Sequence, residues 1–172
     1  MVPSGLKPME CMVMNFDLAS VAESRTVILV EGTSDQAALE ALADRRGQAL
    51  DTHGVAIVQM GGATNIGRFL RLFGPRGLGV RLAGLCDLED ELIRALGVAS
   101  VEHIIQAHGE IRSFRVLQKQ PAQRGRTPER QLHRFMGTRA GRKSQYARLL
   151  VDALDLARVP RPLDQVLAHS TR

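Results

Sequence analysis

The feature that most restricts what this chain can fold into is a set of three short apolar runs, separated by stretches of helical periodicity. Thr26-Val-Ile-Leu-Val30 is a continuous run of the kind found in strands buried on both faces. Ser34 to Arg46 reads as a helix, with Ser34 or Asp35 as its N-cap and Leu39 and Leu42 turned inward. Val55-Ala-Ile-Val58 is the second run. Gly61-Gly62 breaks the chain after it, and Ile66, Phe69, Leu70 and Phe73 follow at i, i+3, i+4 and i+7. Gly74-Pro75-Arg76-Gly77 forces a turn, and Val80 to Cys86 is the third run. Strands alternating with helices predict a parallel α/β sheet.

In such sheets, polar residues just past the carboxyl ends of the strands face the crevice where ligands bind. The acids of this chain fall there: Glu31-Gly-Thr-Ser-Asp35 after the first run, Asp87-Leu-Glu-Asp-Glu91 after the third. A carboxylate at the end of a buried strand is costly unless it is solvated, capped or bound to a cation. Glu31, Asp87 and Glu89, with Asp35 one turn beyond Glu31, are candidate ligands for a hard divalent ion. In an extended segment, Asp87 and Glu89 would share a face. Asp35 reads equally well as a helix cap, and Asp90 and Glu91 as solvated acids in a helix's first turn, where they suit its dipole.

Downstream, Leu92 to His108 reads as helical, Ser113 to Leu117 as a short strand or loop, and Gln118 to Arg130 as a polar connector with a domain seam. Tyr146, Leu149, Leu150, Ala153 and Leu154 form a helical stripe, and a short helix follows Pro160 and Pro162. The expected organisation is a flexible leader at 1–24, an α/β domain at 25–117 and a basic helical extension at 118–172 packing on it. Four of the six methionines lie in the first fourteen residues, which suggests a leader or a start codon assigned too early.

The net charge of +5 conceals a division. Met1 to Ile111 carries nine Lys/Arg and fourteen Asp/Glu; Arg112 to Arg172 carries fourteen and four. Twenty of the 23 cations are arginine, a bias that base composition alone produces, but their segregation points to a polyanionic partner. Arg112, Arg115, Lys119, Arg124, Arg126 and Arg142 are the candidate nucleic-acid contacts. With six aromatics in the chain, backbone recognition of duplex DNA is favoured over base stacking. Cys11 and Cys86 lack metal or disulfide spacing, and the five histidines lack zinc-ligand spacing. No apolar stretch is long enough for a membrane span and no signal peptide fits, so a cytoplasmic protein is expected. Gly137-Thr-Arg-Ala-Gly-Arg-Lys-Ser144 fails as a phosphate loop, because Arg142 stands where glycine must precede the lysine. No GxGxxG follows the first run either, so neither ATP nor another nucleotide cofactor is expected.

Val27-Ile-Leu-Val-Glu-Gly-Thr-Ser-Asp35, the second run with Gly61-Gly62, and the third ending in Asp87-Leu-Glu89 together resemble the TOPRIM fold, over roughly Arg25 to Glu91. The form Val-Glu-Gly-x-x-Asp with the double glycine is similar to its OLD (overcoming lysogenization defect) branch of endonucleases. Gly141-Arg-Lys-Ser-Gln-Tyr-Ala-Arg148 resembles the lysine-bearing helix of that branch, with Lys143 the matching lysine. The resemblance implies a TOPRIM-like (Rossmann-like) parallel sheet flanked by helices and a Mg²⁺- or Mn²⁺-dependent DNA endonuclease or nickase. Glu31 and Lys143 would be catalytic, and Glu31, Asp35, Asp87 and Glu89 would hold metal. Three departures stand out: Glu89 replaces the family's second aspartate, Leu85-Cys-Asp87 runs directly into Leu88-Glu-Asp-Glu-Leu92 as though an insert were missing, and no ATPase domain precedes the unit. An ATPase in trans or a second copy are the candidate protein partners. The alternative reading is a catalytically impaired remnant that binds nucleic acid or a partner. An RNA-maturation nuclease of the same superfamily is disfavoured by Thr33, where that group has lysine.

Overall fold

A computed structural model describes residues 21–85 and 88–170. Three parallel strands, β1 (Thr26–Val30), β2 (Val55–Gln59) and β3 (Arg81–Leu85), form one sheet in the order β2-β1-β3. Ile28 pairs with Ile57 on one side and Ala83 on the other. Among the described residues eight α-helices surround it: α1 (Thr33–Arg45), α2 (Ile66–Phe73), α3 (Leu88–Leu96), α4 (Val98–Ala107), α5 (Ile111–Gln118), α6 (Pro128–Met136), α7 (Arg142–Asp152) and α8 (Arg161–Ser170). The expected alternation of strands and helices in a parallel sheet is the architecture observed.

Because side chains alternate across a strand, the all-apolar interior of β1 divides between two cores. Val27 and Leu29 meet Val58, Met60 and α2 through Phe69 and Phe73. Ile28 and Val30 meet the larger core, where Leu39 and Leu42 of α1 join Tyr146 and Leu150 of α7 and Leu163 and Leu167 of α8. The central strand is thus buried on both faces, as its uninterrupted apolar run requires.

Local expectations fail in two places. Ser113 to Leu117 belongs to helix α5, since Phe114 and Leu117 are spaced i, i+3 and both are buried. The single helix expected over Leu92 to His108 breaks at Gly97, whose φ of 78° lies in the left-handed region that glycine tolerates. The connector after Gln118 holds a short 3-10 turn at Pro121–Gln123, and the core crosses it without a gap: the Phe114 and Phe135 rings stand 5.2 Å apart, edge to face. The leader expected at 1–24 lies mostly outside the described residues, as do Cys11, Cys86 and Asp87. Among the described residues, no helix is long and apolar enough to cross a membrane.

A buried polar cluster joins the helical half. Arg142 donates to Glu110 Oε1 at 2.8 Å, to Thr138 Oγ1 at 2.6 Å and to the Phe135 carbonyl at 3.3 Å, with its guanidinium 4.3 Å from the Phe135 ring centroid. Tyr146 Oη donates to Glu110 Oε2 at 2.9 Å. Burial alone would raise the Glu110 carboxyl, but hydrogen bonds from Tyr146 and Arg142 and the charges of Arg142 and Arg139 hold it below its ordinary value. Burial, then Glu110, push the Tyr146 phenol up. Removing one partner from such a cluster strands the other's charge, whereas removing both does not. Glu110→Ala should therefore cost about 3 kcal/mol, and Glu110→Ala/Arg142→Met less than that single substitution. Urea denaturation of the four proteins in a double-mutant cycle measures both.

Candidate metal and phosphate site

The site assembles at the carboxyl end of the sheet. β1 stops at Val30, and the backbone of Glu31 is held by the double glycine, since Gly61 and Gly62 donate their N–H groups to the Glu31 carbonyl at 3.0 and 3.2 Å. These glycines have φ of 68° and 126°, which aims consecutive amides at one oxygen. Those N–H groups are therefore occupied within the protein. Gly32, rather than Ser34 or Asp35, caps α1, and Asp35 in the first turn accepts from the Gly32 N–H at 3.2 Å.

Asp35 is only 2% exposed, and so is Glu89. Glu89 lies in the first turn of α3 rather than in an extended segment, so an i, i+2 pairing with Asp87 is not what orients it. Its Oε1 lies 3.0 Å from Lys143 Nζ, yet that oxygen is buried without a hydrogen bond of acceptable geometry. Burial would lower the Lys143 ammonium, but Glu89 first, then Asp35 and Glu31, hold it above its ordinary value. Glu31, Asp35, Glu89 and Lys143 thus share one electrostatic site. Desolvation, reinforced by Glu89, raises the Asp35 carboxyl from 3.8 to about 6, against smaller opposing contributions from the Gly32 N–H and Lys143.

Lys143 is placed by anchors on both sides. Arg142 is fixed in the Glu110 cluster, and α7 lies along α1 through Ser144 to Thr33 at 3.1 Å, Arg148 to Glu40 at 3.1 Å, and Arg45 to the Leu154 carbonyl at 2.9 Å. With one helix pinned at both ends of its face, the ammonium is directed at Glu89.

One cation for three carboxylates leaves the site negative, and the donors are all hard oxygens. Such a donor set suits Mg²⁺ or Mn²⁺. Among the described residues, no three His, Cys, Asp or Glu side chains already stand close enough to close around one ion. The structure pairs Glu89 with Lys143 and leaves Asp35 and Glu31 within electrostatic range of that ammonium; Asp87 lies outside the described residues.

The candidate nucleic-acid contacts scatter. Arg115 is bound by both oxygens of Glu102, at 2.9 and 2.6 Å. Arg142 is 6% exposed and committed to Glu110, so it is corrected from a phosphate contact to a support for its neighbour Lys143. Arg112, Lys119, Arg124 and Arg126 are exposed. Arg130 and Arg134, not singled out in the sequence, line a cavity together with Lys143. Their signal was the four-residue spacing of Arg126, Arg130 and Arg134, opposite the buried Leu132, Phe135 and Met136 of α6.

In metal-free protein, the raised Asp35 pKa fixes the sign of a pH effect. Between 3.8 and about 6 the folded state holds a proton on Asp35 that the unfolded chain has released, so stability falls as pH rises through this window. Asp35→Asn should remove that dependence. Denaturation in EDTA from pH 4 to 8 should show the variant gaining on the parent by about 2–3 kcal/mol between pH 4 and 6.5, then levelling off.

Comparison with known proteins places the site in a context. Residues 24–89 match the overcoming lysogenization defect protein-like TOPRIM domain. The C-terminal region of the Xanthomonas campestris pv. campestris OLD protein is similar in fold, with a TM-score of 0.63 at 19% identity, covering 88% of this chain and 94% of that one. The C-terminal region of the Burkholderia pseudomallei OLD protein gives a TM-score of 0.61 at 16% identity over 86% and 96%. No curated protein matches.

Proposed function

From the premise that residues 24–89 are an OLD-like TOPRIM domain, we propose that this protein is a metal-dependent endonuclease or nickase acting on DNA. The observation that carries the reading is the ion pair between the part-exposed Lys143 and Glu89, whose carboxylate is buried with that of Asp35 at the carboxyl end of a parallel sheet. Such a site offers oxygen donors for a divalent cation and an ammonium for a phosphate oxygen within one crevice.

Glu31, Asp35 and Glu89 would hold Mg²⁺ or Mn²⁺, with Asp87 completing the set. When bound, the ion supplies Lewis-acid chemistry for attack on a phosphodiester. The chain's own part is to keep Asp35 and Glu89 dry, to orient the Asp35 carboxylate through the Gly32 N–H, and to fix the Glu31 backbone through the glycine amides on its carbonyl. Lys143 neutralises charge on a phosphate oxygen, and its raised pKa keeps it protonated through neutral pH. An ATPase acting in trans fits the family's organisation.

A second reading has a specific observation behind it. Lys143 already takes up a Glu89 oxygen, and no three ligands close around an ion among the described residues. A catalytically impaired TOPRIM unit that binds nucleic acid or a partner would look the same.

The two readings part in solution. The nuclease reading expects nicking of supercoiled plasmid on addition of Mg²⁺ or Mn²⁺, lost in Glu31→Gln with an unchanged circular dichroism spectrum. It also expects Mg²⁺ at about 100 times its Kd to raise the melting temperature by roughly 5–10 °C, an effect absent in Asp87→Asn. Undiminished nicking by Glu31→Gln overturns the site assignment. Plasmid left intact with no thermal shift favours the impaired unit.

A further inference from the structure

The described residues enclose cavities of opposite sign. The larger, about 870 Å³ beside β2, is lined by Glu23, Glu40, Asp44 and Asp51 with Arg148 as its one cation. The smaller, about 530 Å³, is lined by Arg126, Arg130, Arg134, His133 and Lys143, with Asp90 its one carboxylate. Most arginines near acids are neutralised within the fold: Arg115 by Glu102, Arg139 and Arg142 by Glu110, Arg148 by Glu40, Arg46 by Asp164. Arg126, Arg130 and Arg134 form no ion pair with any described carboxylate. Asp90 lies 3.9 Å from the His133 ring nitrogen Nδ1.

Three guanidinium groups around one cavity repel one another, a cost that a polyanion relieves. Their placement is regular. Arg130 and Arg134 sit one turn apart on the outer face of α6, a rise of about 6 Å, and Arg126 precedes the helix by two residues. Lys143, whose ammonium reaches the carboxylate site, lines the same cavity. No Phe, Tyr or Trp side chain lines the cavity, and the His133 ring is the one aromatic group among its lining residues. A row of separated cations with a single imidazole among them matches the repeating phosphates of a backbone better than a set of stacked bases.

We infer that this α6 cavity seats the phosphodiester backbone of one strand of duplex DNA, with Arg126, Arg130 and Arg134 as its phosphate ligands and Lys143 nearest the carboxylates. The choice of DNA rests on the function proposed above, but the binding needs no metal and no cleavage, and this separates the two. Sequence plays no part in the recognition. The track is distinct from Arg115 and Arg142, which the fold consumes.

The test is fluorescence anisotropy of a labelled 20-base-pair duplex in EDTA, across a series of salt concentrations. Each phosphate contact contributes about 0.9 to the slope of log K against log salt. Arg126→Ala/Arg130→Ala/Arg134→Ala should therefore weaken binding at least tenfold at low salt and reduce the slope by about 2–3. Arg130→Ala or Arg134→Ala alone should reduce it by about 1. Arg158→Ala/Arg161→Ala, two exposed cations outside the cavity, should leave it unchanged. These residues are exposed, so melting temperatures should match within error. An unchanged slope in the triple variant overturns the track, as does equal loss in the Arg158/Arg161 control. Absence of duplex binding by the parent overturns it as well. Tighter, arginine-dependent binding of a duplex RNA of the same sequence, or of an acidic peptide, overturns the assignment to DNA. Arginine-dependent DNA binding without any metal-dependent nicking sustains the track and removes the proposed function.

Discussion

Two nearly water-free carboxylates, Asp35 and Glu89, impose the constraint around which the helical half is arranged. Removing a carboxylate from water is unfavourable by several kcal/mol unless a cation, a proton or hydrogen-bond donors compensate it. All three kinds of compensation occur here. Lys143 lies 3.0 Å from Glu89, the Gly32 amide donates to Asp35, and Asp35 retains its proton up to about pH 6. The compensation of Glu89 rests on one partner, the Lys143 ammonium, which is itself part-exposed. A fold that tolerates such a site away from its main core is one in which the negative charge has a use, and perturbed carboxylates of this kind concentrate at functional centres.

The surrounding structure can be understood as what holds Lys143 opposite these acids. β1 is buried on both faces and delivers Glu31 to the sheet's edge of the crevice, while the Gly61-Gly62 turn secures its carbonyl. α7 arrives from more than a hundred residues away and is fixed along α1 by Ser144, Arg148 and Arg45. Its first turn is locked by Arg142 inside the Glu110, Thr138 and Tyr146 cluster. Adjacent residues thereby take opposite roles: Arg142 is buried as a strut and Lys143 faces the site. The same helical half presents Arg130 and Arg134 outward from α6 because Leu132, Phe135 and Met136 turn inward. Core packing on one face of the helix creates the charged row on the other.

How much of this was legible follows from the range of the interactions. The sheet was readable because Thr26 to Val30 and Val55 to Val58 are local apolar runs with turn signals at their ends. Glu31 was readable as a strand-end acid for the same reason. The family's motifs added Lys143, which no periodicity would distinguish from Arg142. The burial of Glu89 was not readable, because an acid in the first turn of a helix is ordinarily solvated, and its neighbours Asp90 and Glu91 fit that pattern. What buries it is packing between α3 and α7, more than fifty residues apart. Arg115 and Arg142 looked like free cations because their partners, Glu102 and Glu110, lie 13 and 32 residues away. Ser113 to Leu117 was misjudged because a two-turn helix with only Phe114 and Leu117 inward carries too short a pattern to distinguish helix from strand.

The central claim is that Glu31, Asp35 and Glu89 are a cation site rather than a self-neutralised cluster. A crystal of the protein soaked in Mn²⁺, with anomalous scattering measured, addresses it most directly. The account predicts an anomalous peak bonded at about 2.1 Å to oxygens of Glu89 and of Asp35 or Glu31, with the Lys143 ammonium moved away from Glu89. Density showing the Lys143–Glu89 ion pair intact and no manganese between the carboxylates would contradict it.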